Sequence, residues 1–366
     1  MDNDYSLAGV FFADDEIIWA LATYEHRGNH WTSAKISSDT SLLNRDGEKT
    51  ARRFPCGDSA KDDLIKAIDE ISKHCDFEKL EAITLATLGP YEGGYIKPGS
   101  TAAEVTYGTP KLRRITQGCR SPKWSGFEIE KELNRELHKR AKGRPPVGFV
   151  LKDAEAFVLG EHYRYRRLGR VEAEGPLDDT VFYLLADTGI GGALLSRGNL
   201  FQGDASPEIG HMSVHLHSDD VFDKLSLESC GAHFLPCLEG MLSLSALKER
   251  YDLNPEDIPR LPSYDYRLNV IAYYLAQALM QTVFFFAPTV MLLGGRVIEN
   301  KFLLPKIRSI YSNYLRNDLH PNQTVYFPDY EMQYHPEAHI KPWSSPDAGV
   351  LGCLCWSYMM GTDYSQ

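Results

Sequence analysis

A short run of cysteine and histidine in the second half of the chain has the spacing of a metal site. Cys230, His233 and Cys237 follow one another as C-x2-H-x3-C, so a single loop can supply three ligands. Two thiolates and two imidazoles satisfy a tetrahedral zinc ion, so the run predicts zinc with one further histidine as fourth ligand. Four protein ligands leave no position open for water, which makes the predicted role structural.

A glycine-rich turn lies upstream of this run, between two apolar stretches. Residues 188–192 read Thr-Gly-Ile-Gly-Gly. Because glycine has no Cβ, such a turn can bring backbone N–H groups up to a phosphate. A second glycine pair at 294–295 is weaker evidence, since ordinary turns use glycine constantly.

Asp153 is the candidate for proton transfer. It follows the apolar strand predicted over residues 147–151 and precedes a helical run. A carboxylate held at a strand end can accept the proton of an attacking hydroxyl. Aspartate is also a common helix N-cap, and position alone leaves both roles open.

The elements that must position these residues alternate between strands and helices. Apolar periodicity predicts strands over 7–12, 17–23, 81–88, 147–151 and 289–293, and helices over 62–74, 128–141 and 266–287. Residues 179–200 repeat the strand, turn, strand pattern with which the chain opens, which suggests two similar lobes. The alternation indicates an α/β chain.

Together these segments resemble the ROK family of sugar kinases, most closely its bacterial fructokinase branch. The resemblance extends from about residue 80 to 355. Its motifs lie, in the family's order, at residues 86–90, 121–124, 152–161, 187–193, 208–211, 230–240, 293–297 and 348–352.

The resemblance implies an α/β, two-lobed actin-like (ribonuclease H-type) fold with ligands in the cleft between the lobes. The N-terminal lobe is then expected over residues 1–152. The C-terminal lobe, with the nucleotide and zinc motifs, is expected over 153–344. A C-terminal helix at about 345–366 is expected to pack back on the first lobe.

The resemblance also implies ATP-dependent phosphorylation of a hexose hydroxyl, with Mg2+ accompanying ATP and Asp153 as the catalytic base. The histidine of the Glu-x-Gly-His motif would hold zinc as the fourth ligand. Its rival is His217, in an element similar to the fructokinase His-Pro-Asp-Asp. The implied residues are Gly89, Pro90, Glu208 and His211 for the sugar, Thr188, Gly189, Gly191, Gly192, Gly294 and Gly295 for the nucleotide, and His211, Cys230, His233 and Cys237 for zinc.

Three places depart from the family pattern. The first hairpin turn reads Ala-Asp-Asp-Glu at 13–16, where the family has a Gly-Gly-Thr turn for the transferred phosphate. Each like-charge pair at about 4 Å costs on the order of 4 kcal/mol at an effective dielectric near 20, so these acids would repel the γ-phosphate unless they hold Mg2+ or face solvent. Asp187 stands where a small residue is usual, and Glu155 where Asn is usual. A degenerate relative that binds a sugar or nucleotide, or performs another carbohydrate reaction, therefore stays open.

Composition argues against several other classes of protein. The 50 acidic and 39 basic residues give a net charge of −11, unsuited to nonspecific nucleic-acid binding. Seven scattered cysteines indicate reduced thiols rather than a disulfide framework. The chain opens without a signal-peptide pattern, and the apolar run 283–293 contains Pro288 and is too short for a bilayer. We therefore expect a cytoplasmic protein with sugar and ATP as partners, without nucleic acid or membrane; a homodimer is left open.

Overall fold

The protein forms two compact units in a computed structural model. The model describes residues 5–24, 51–88, 91–92, 114–115, 122–167, 179–202, 207–220, 230, 236–316, 335–343 and 345–364. The first unit comprises residues 1–176, 201–206 and 344–366, and the second comprises 177–200 and 207–343. This division differs from the sequence-based boundary after residue 152, because the helix that begins at Asp153 packs within the first unit.

Strands and helices alternate through both units, and the predicted α/β class is confirmed. The strands are β1 (Tyr5–Phe12), β2 (Glu16–Tyr24), β3 (Arg52–Pro55), β4 (Leu80–Thr87), β5 (Tyr91–Glu92), β6 (Arg114–Ile115), β7 (Val147–Lys152), β8 (Thr180–Ala186), β9 (Ile190–Ser196), β10 (Asn199–Leu200), β11 (Val290–Gly294) and β12 (Ile340–Pro342). The helices are α1 (Ala60–Ser72), α2 (Ile129–Arg140), α3 (Asp153–Arg167), α4 (Leu238–Leu242), α5 (Leu244–Tyr251), α6 (Tyr266–Phe286), α7 (Leu303–Arg316), α8 (Pro336–His339) and α9 (Ala348–Tyr364).

Each unit is built on a five-stranded sheet, and the two sheets have the same topology. The first has the order β3-β2-β1-β4-β7 and the second the order β10-β9-β8-β11-β12. In both, an antiparallel hairpin supplies the central strand, that strand pairs in parallel with the next strand, and the next strand pairs in parallel with the last. The repeat expected from the two hairpins is therefore present in the described strands.

Helices α3 and α9 cross at backbone contact in the first unit. A Cβ at Gly352 would lie 1.7 Å from the Ala156 carbonyl oxygen, and one at Gly160 would lie 1.9 Å from that of Ala348. Only glycine permits this approach. On the sheet side of α9, the Ser357 hydroxyl donates to the Ala8 carbonyl at 2.9 Å. The C-terminal helix thus fixes the start of α3, which carries Asp153.

Helix α6 runs through the core of the second unit. It begins after the N-cap Asp265, whose side chain accepts the Arg267 N–H, and ends at Ala287 in a left-handed conformation before Pro288. Among the described residues it is the one helix long and apolar enough to span a membrane, with a mean hydropathy of 1.3. However, 67% of that window is buried inside the protein, as expected for a core helix.

Candidate active site and metal centre

Asp153 is the first residue of α3, directly after β7. Its Oδ1 accepts the Ala154 N–H at 2.6 Å. The contact that caps the helix start comes from Glu155, whose carboxylate reaches back to the Lys152 N–H at 2.8 Å. Glu155 is buried and also accepts a hydrogen bond from Gln202. Asp153 and Glu155 thus both accept backbone N–H groups at the helix start, and a catalytic role for Asp153 stays a prediction.

The carboxyl group of Asp153 holds its proton more tightly than an ordinary aspartate. Burial raises the pKa of Asp153 to about 6, while the charge of Lys152 and the Ala154 N–H oppose the rise. The nearby charges of Asp14 and Glu155 also contribute to this raised pKa. Glu155, which stands where the family usually has Asn, makes the smallest of these contributions.

The acidic turn after β1 contains groups in different environments. The Ala13 N–H donates to the Glu16 carbonyl at 2.9 Å and closes the turn, which leaves Asp14 and Asp15 exposed. Glu16 instead forms an ion pair with Arg53 of β3, and Arg53 also pairs with Asp347 just before α9. One of the three acids expected to repel a phosphate is therefore compensated inside the unit.

The glycine turn of the second unit joins β8 to β9, as predicted. The Thr188 N–H donates to Asp187 Oδ1 at 2.8 Å, and the Ile190 N–H donates to Glu239 Oε2 at 2.9 Å. Gly191 and Gly192 lie in the hairpin opposite Leu185 and Leu184. Two N–H groups of the turn thus already have carboxylate acceptors, and a phosphate there would have to compete with them.

Asp187 is compensated by Arg296, the residue after the second glycine pair. Its Oδ2 accepts the Arg296 backbone N–H at 2.8 Å, and its Oδ1 accepts Arg296 Nε at 2.9 Å. A carboxylate beside this turn therefore faces a guanidinium within the same unit. The departure from the family pattern at this position is explained by that pair.

Packing within the second unit explains both glycines of the 294–295 pair. A Cβ at Gly294 would lie 2.0 Å from the Tyr183 hydroxyl oxygen and 2.8 Å from the Trp343 ring. Gly295 has φ +94°, and a Cβ there would lie 2.2 Å from the Ala186 carbonyl oxygen. A role for the pair in binding the base stays a prediction, because these contacts alone account for it.

The Glu-x-Gly-His segment packs on the first residue of β9. A Cβ at Gly210 would lie 2.2 Å from the Ile190 carbonyl oxygen, so this segment is held against the glycine hairpin. Glu208 is exposed and His211 is half-buried. Both line an open groove of about 440 Å3, together with Pro207, Ile209, Met212, Thr282, Phe285 and Phe286.

His211 also belongs to the candidate metal centre. The ligand atoms of His211, Cys230 and Cys237 lie within 4.8 Å of one another, and Cys230 Sγ is 3.3 Å from His211 Nδ1. Bonds of about 2.0 to 2.3 Å put tetrahedral zinc ligands at a similar separation, so the donor set fits zinc. Burial raises the pKa of the Cys237 thiol to about 12, with neighbouring Cys230 adding to the rise. A bound cation would favour its thiolate, because a cysteine that binds a metal must be deprotonated.

His217 has other partners. Its Nδ1 accepts the Asp219 N–H at 3.1 Å, and its ring packs edge-on against Tyr273. Among the described residues it is outside the ligand group. The geometry therefore favours His211 over His217 as the histidine that would bind the metal together with Cys230 and Cys237.

The predicted ligand His233 and the predicted sugar contacts Gly89 and Pro90 lie outside the described residues.

Three residues that bind groups of the candidate site were not predicted from the sequence. Glu239 receives the Ile190 N–H, Arg296 neutralises Asp187, and Arg53 binds Glu16. For Glu239 and Arg296 a signal existed, since each lies within a motif already recognised, at residues 230–240 and 293–297. No sequence signal pointed to Arg53, because it is far in sequence from Glu16, the acid that it binds.

The repeated strand order, an antiparallel hairpin followed by parallel strands, defines an actin-like, ribonuclease H-type α/β protein. Solved structures agree with this fold. The ROK hexokinase from Thermus thermophilus matches with a TM-score of 0.62 and 19% identity, over 98% of this chain and 99% of that one. A ROK family glucokinase from Streptomyces griseus, in complex with glucose and AMPPNP, matches with a TM-score of 0.57 and 18% identity, over 96% and 99%.

The family itself is shown by sequence. The ROK family model matches residues 58–335, so the chain belongs to the ROK family. It is 28% identical over 296 residues to a protein named "Putative fructokinase" from Bacillus subtilis (strain 168), which covers 79% of this chain and 82% of that protein. The predicted family membership is thus confirmed.

Proposed function

We propose that this protein transfers the γ-phosphate of ATP to a hexose hydroxyl, with Asp153 as the general base. The observation that carries the proposal is the Asp153 carboxyl group at the junction of β7 and α3, with its pKa raised to about 6. A base is most effective when its pKa lies near the working pH, because it is then ionised yet still basic. An ordinary surface aspartate would be a weaker base.

The roles of the remaining groups follow from the chemistry of phosphoryl transfer. The Asp153 carboxylate accepts the proton as the sugar oxygen attacks phosphorus, and the bond to the β-phosphate oxygen breaks to release ADP. Glu208 and His211 hold sugar hydroxyls, and the turn at 188–192 contacts the nucleotide. Mg2+ bound with ATP supplies positive charge to the phosphates.

The identity of the sugar rests on the relatives. The B. subtilis relative is named a fructokinase, and the S. griseus enzyme was solved with glucose and an ATP analogue. We therefore propose a hexose as acceptor, with fructose as the first candidate. ATP and reduced thiols both belong to the cytoplasm, where we place the protein.

A structural zinc ion is part of the same proposal. His211, Cys230 and Cys237 converge, and His233 completes the C-x2-H-x3-C spacing. Four protein ligands close the coordination sphere, so zinc would fix the segment carrying Glu208 rather than activate water.

The second candidate is a ROK protein that binds sugar or nucleotide without transferring phosphate. It is favoured by Asp14, an exposed acid on the turn where the family resemblance places the transferred phosphate. Asp14 is close enough to Asp153 to raise its pKa. Compensation of Glu16 by Arg53 reduces this repulsion, which is why we prefer the kinase.

A coupled assay of ADP release separates the two candidates. The protein is given ATP and Mg2+ with fructose, mannose, glucose or an amino sugar, and we expect turnover with at least one hexose. Asp153→Asn should lower kcat by about 10^2 to 10^4 and leave calorimetric sugar binding intact, because the amide cannot accept the proton. Asp58→Asn, at an exposed acid of the same unit, is the control. Sugar binding without turnover of any of these sugars would favour the second candidate.

A further inference from the structure

The candidate metal ligands lie on two stretches of chain that pair with each other. We call residues 211–220 the first stem and residues 236–242 the second stem. The Leu238 N–H donates to the Met212 carbonyl at 3.0 Å, and the Val214 N–H donates to the Pro236 carbonyl at 3.2 Å. His211 directly precedes Met212, and Cys237 directly precedes Leu238. Both ligands are therefore adjacent in sequence to a backbone hydrogen bond that joins the stems. Any group that fixes both stems also fixes the separation of these ligands.

Such a group is the buried ion pair between Asp220, the last residue of the first stem, and Arg250 of α5. Their side chains are 0% and 2% exposed. The Arg250 guanidinium pairs with Asp220 through Nη2, and its Nη1 donates to the Met241 carbonyl of the second stem at 2.6 Å. One side chain thus holds both stems.

Two tyrosine hydroxyls complete the surroundings of Asp220. Tyr251 donates to its Oδ1 and Tyr274 donates to its Oδ2. The Tyr274 oxygen in turn accepts the His217 N–H at 3.2 Å, so α6 also holds the first stem. Each carboxylate oxygen therefore accepts a tyrosine hydroxyl, and Oδ1 also pairs with the Arg250 guanidinium.

Stability alone is a poor explanation for this arrangement. A buried ion pair can often be replaced by apolar side chains without loss of stability, because removing two charges from water is expensive. Fixing one conformation is the better-supported use of such pairs. Here the conformation fixed is that of the two stems that carry the metal ligands.

We propose that Asp220 and Arg250 act as a clamp that sets the spacing of His211 and Cys237 before metal binds, and so raises zinc affinity. Asp220 belongs to the His-Ser-Asp-Asp element at residues 217–220, whose histidine is outside the ligand group among the described residues. The proposal rests on the zinc centre proposed above. Partners that orient metal ligands without touching the metal typically contribute 10- to 100-fold to affinity.

The test measures zinc affinity of the full chain by competition with a chromophoric chelator. The main variant is the double substitution Asp220→Leu with Arg250→Met, which removes both charges together and leaves no buried ion unpaired. We expect zinc to bind roughly 10- to 100-fold more weakly. Asp252→Asn is the control, because it removes an exposed ion pair with Lys248 on the same helix and should leave affinity unchanged.

Thermal unfolding of each metal-stripped protein shows whether the variants are folded. A folded double variant with wild-type zinc affinity would overturn the clamp. If the double variant does not fold, Tyr274→Phe removes one hydrogen bond to Asp220 and should weaken zinc binding several-fold; unchanged affinity there would also overturn the proposal. A wild-type chain without measurable zinc binding would reject the metal centre itself, whatever its kinase activity.

Discussion

Asp187 and Arg296 form an ion pair that joins the two glycine turns of the second unit. Asp187 accepts both the backbone N–H and the Nε of Arg296, and it also receives the Thr188 N–H. A single carboxylate therefore organises the turn at 188–192 and ties it to the segment after β11. Its charge is compensated where it would otherwise repel a phosphate.

Arg296→Met should weaken binding of ATP with Mg2+ by roughly tenfold, about 1.4 kcal/mol, because the charge of Asp187 is then uncompensated beside the nucleotide. Adding Asp187→Asn should recover most of this loss. Calorimetric titration of both variants provides the measurement. Arg267→Met, which breaks the ion pair with Asp265 at the start of α6, is the matched control. Equal affinity in all these proteins would mean that the turn does not contact ATP.

The acid limb of the kcat/KM profile should have its midpoint near pH 6, because kcat/KM reports the free enzyme, in which Asp153 must be ionised to accept a proton and has a pKa raised to about 6. Asp14→Asn removes a negative charge that raises this pKa, so the limb should move to lower pH. Asp15→Asn, one residue further along the turn, should move it less. A shift to higher pH in Asp14→Asn would contradict this account of Asp153.

The purified protein should contain one zinc ion per chain when chelators are avoided. His211→Ala should lose the metal, because its Nδ1 lies 3.3 Å from Cys230 Sγ within the ligand group. His217→Ala should retain it, since that ring is occupied by Asp219 and Tyr273. Metal analysis of the three proteins decides the point, and loss of zinc from His217→Ala alone would reverse the assignment.

Gly352→Ala should lower the free energy of unfolding by 3 kcal/mol or so, the upper end for overpacking, because the added methyl overlaps the Ala156 carbonyl. Urea denaturation gives the change. Gly143→Ala is the control, since its new methyl meets only the end of the Glu78 side chain and should change stability by less than about 0.5 kcal/mol. Similar midpoints for both variants would show that α3 and α9 can separate without penalty.

Hydrophobic periodicity was sufficient to predict a helix with one buried face. The helix predicted over 62–74 is α1 (Ala60–Ser72), with Leu64, Ile68 and Ile71 in the core. Both predicted hairpins formed, because apolar runs separated by a short turn are local properties of the sequence.

Contacts between distant residues could not be predicted in this way. Asp187 and Arg296 are 109 positions apart, and Arg53 and Asp347 are 294 apart. Each is an ordinary charged residue in its own neighbourhood. The parallel pairing of β8 with β11 brings the first two together, and the packing of α9 against the first sheet brings the second two together. The same holds for the unit boundary: α3 follows β7 without a break in composition, and its place in the first unit depends on packing against α9.

The contact between α3 and α9 also has a consequence for synthesis on the ribosome. The first unit needs residues 344–366, which emerge after the whole of the second unit. At about 5 to 20 residues per second, this separation leaves roughly 10 to 30 s during which the surfaces that α9 covers have no partner from their own chain. The second unit comprises residues 177–200 and 207–343, all of which are made before α9. The nascent chain therefore carries an unfinished apolar surface in its first unit through that interval.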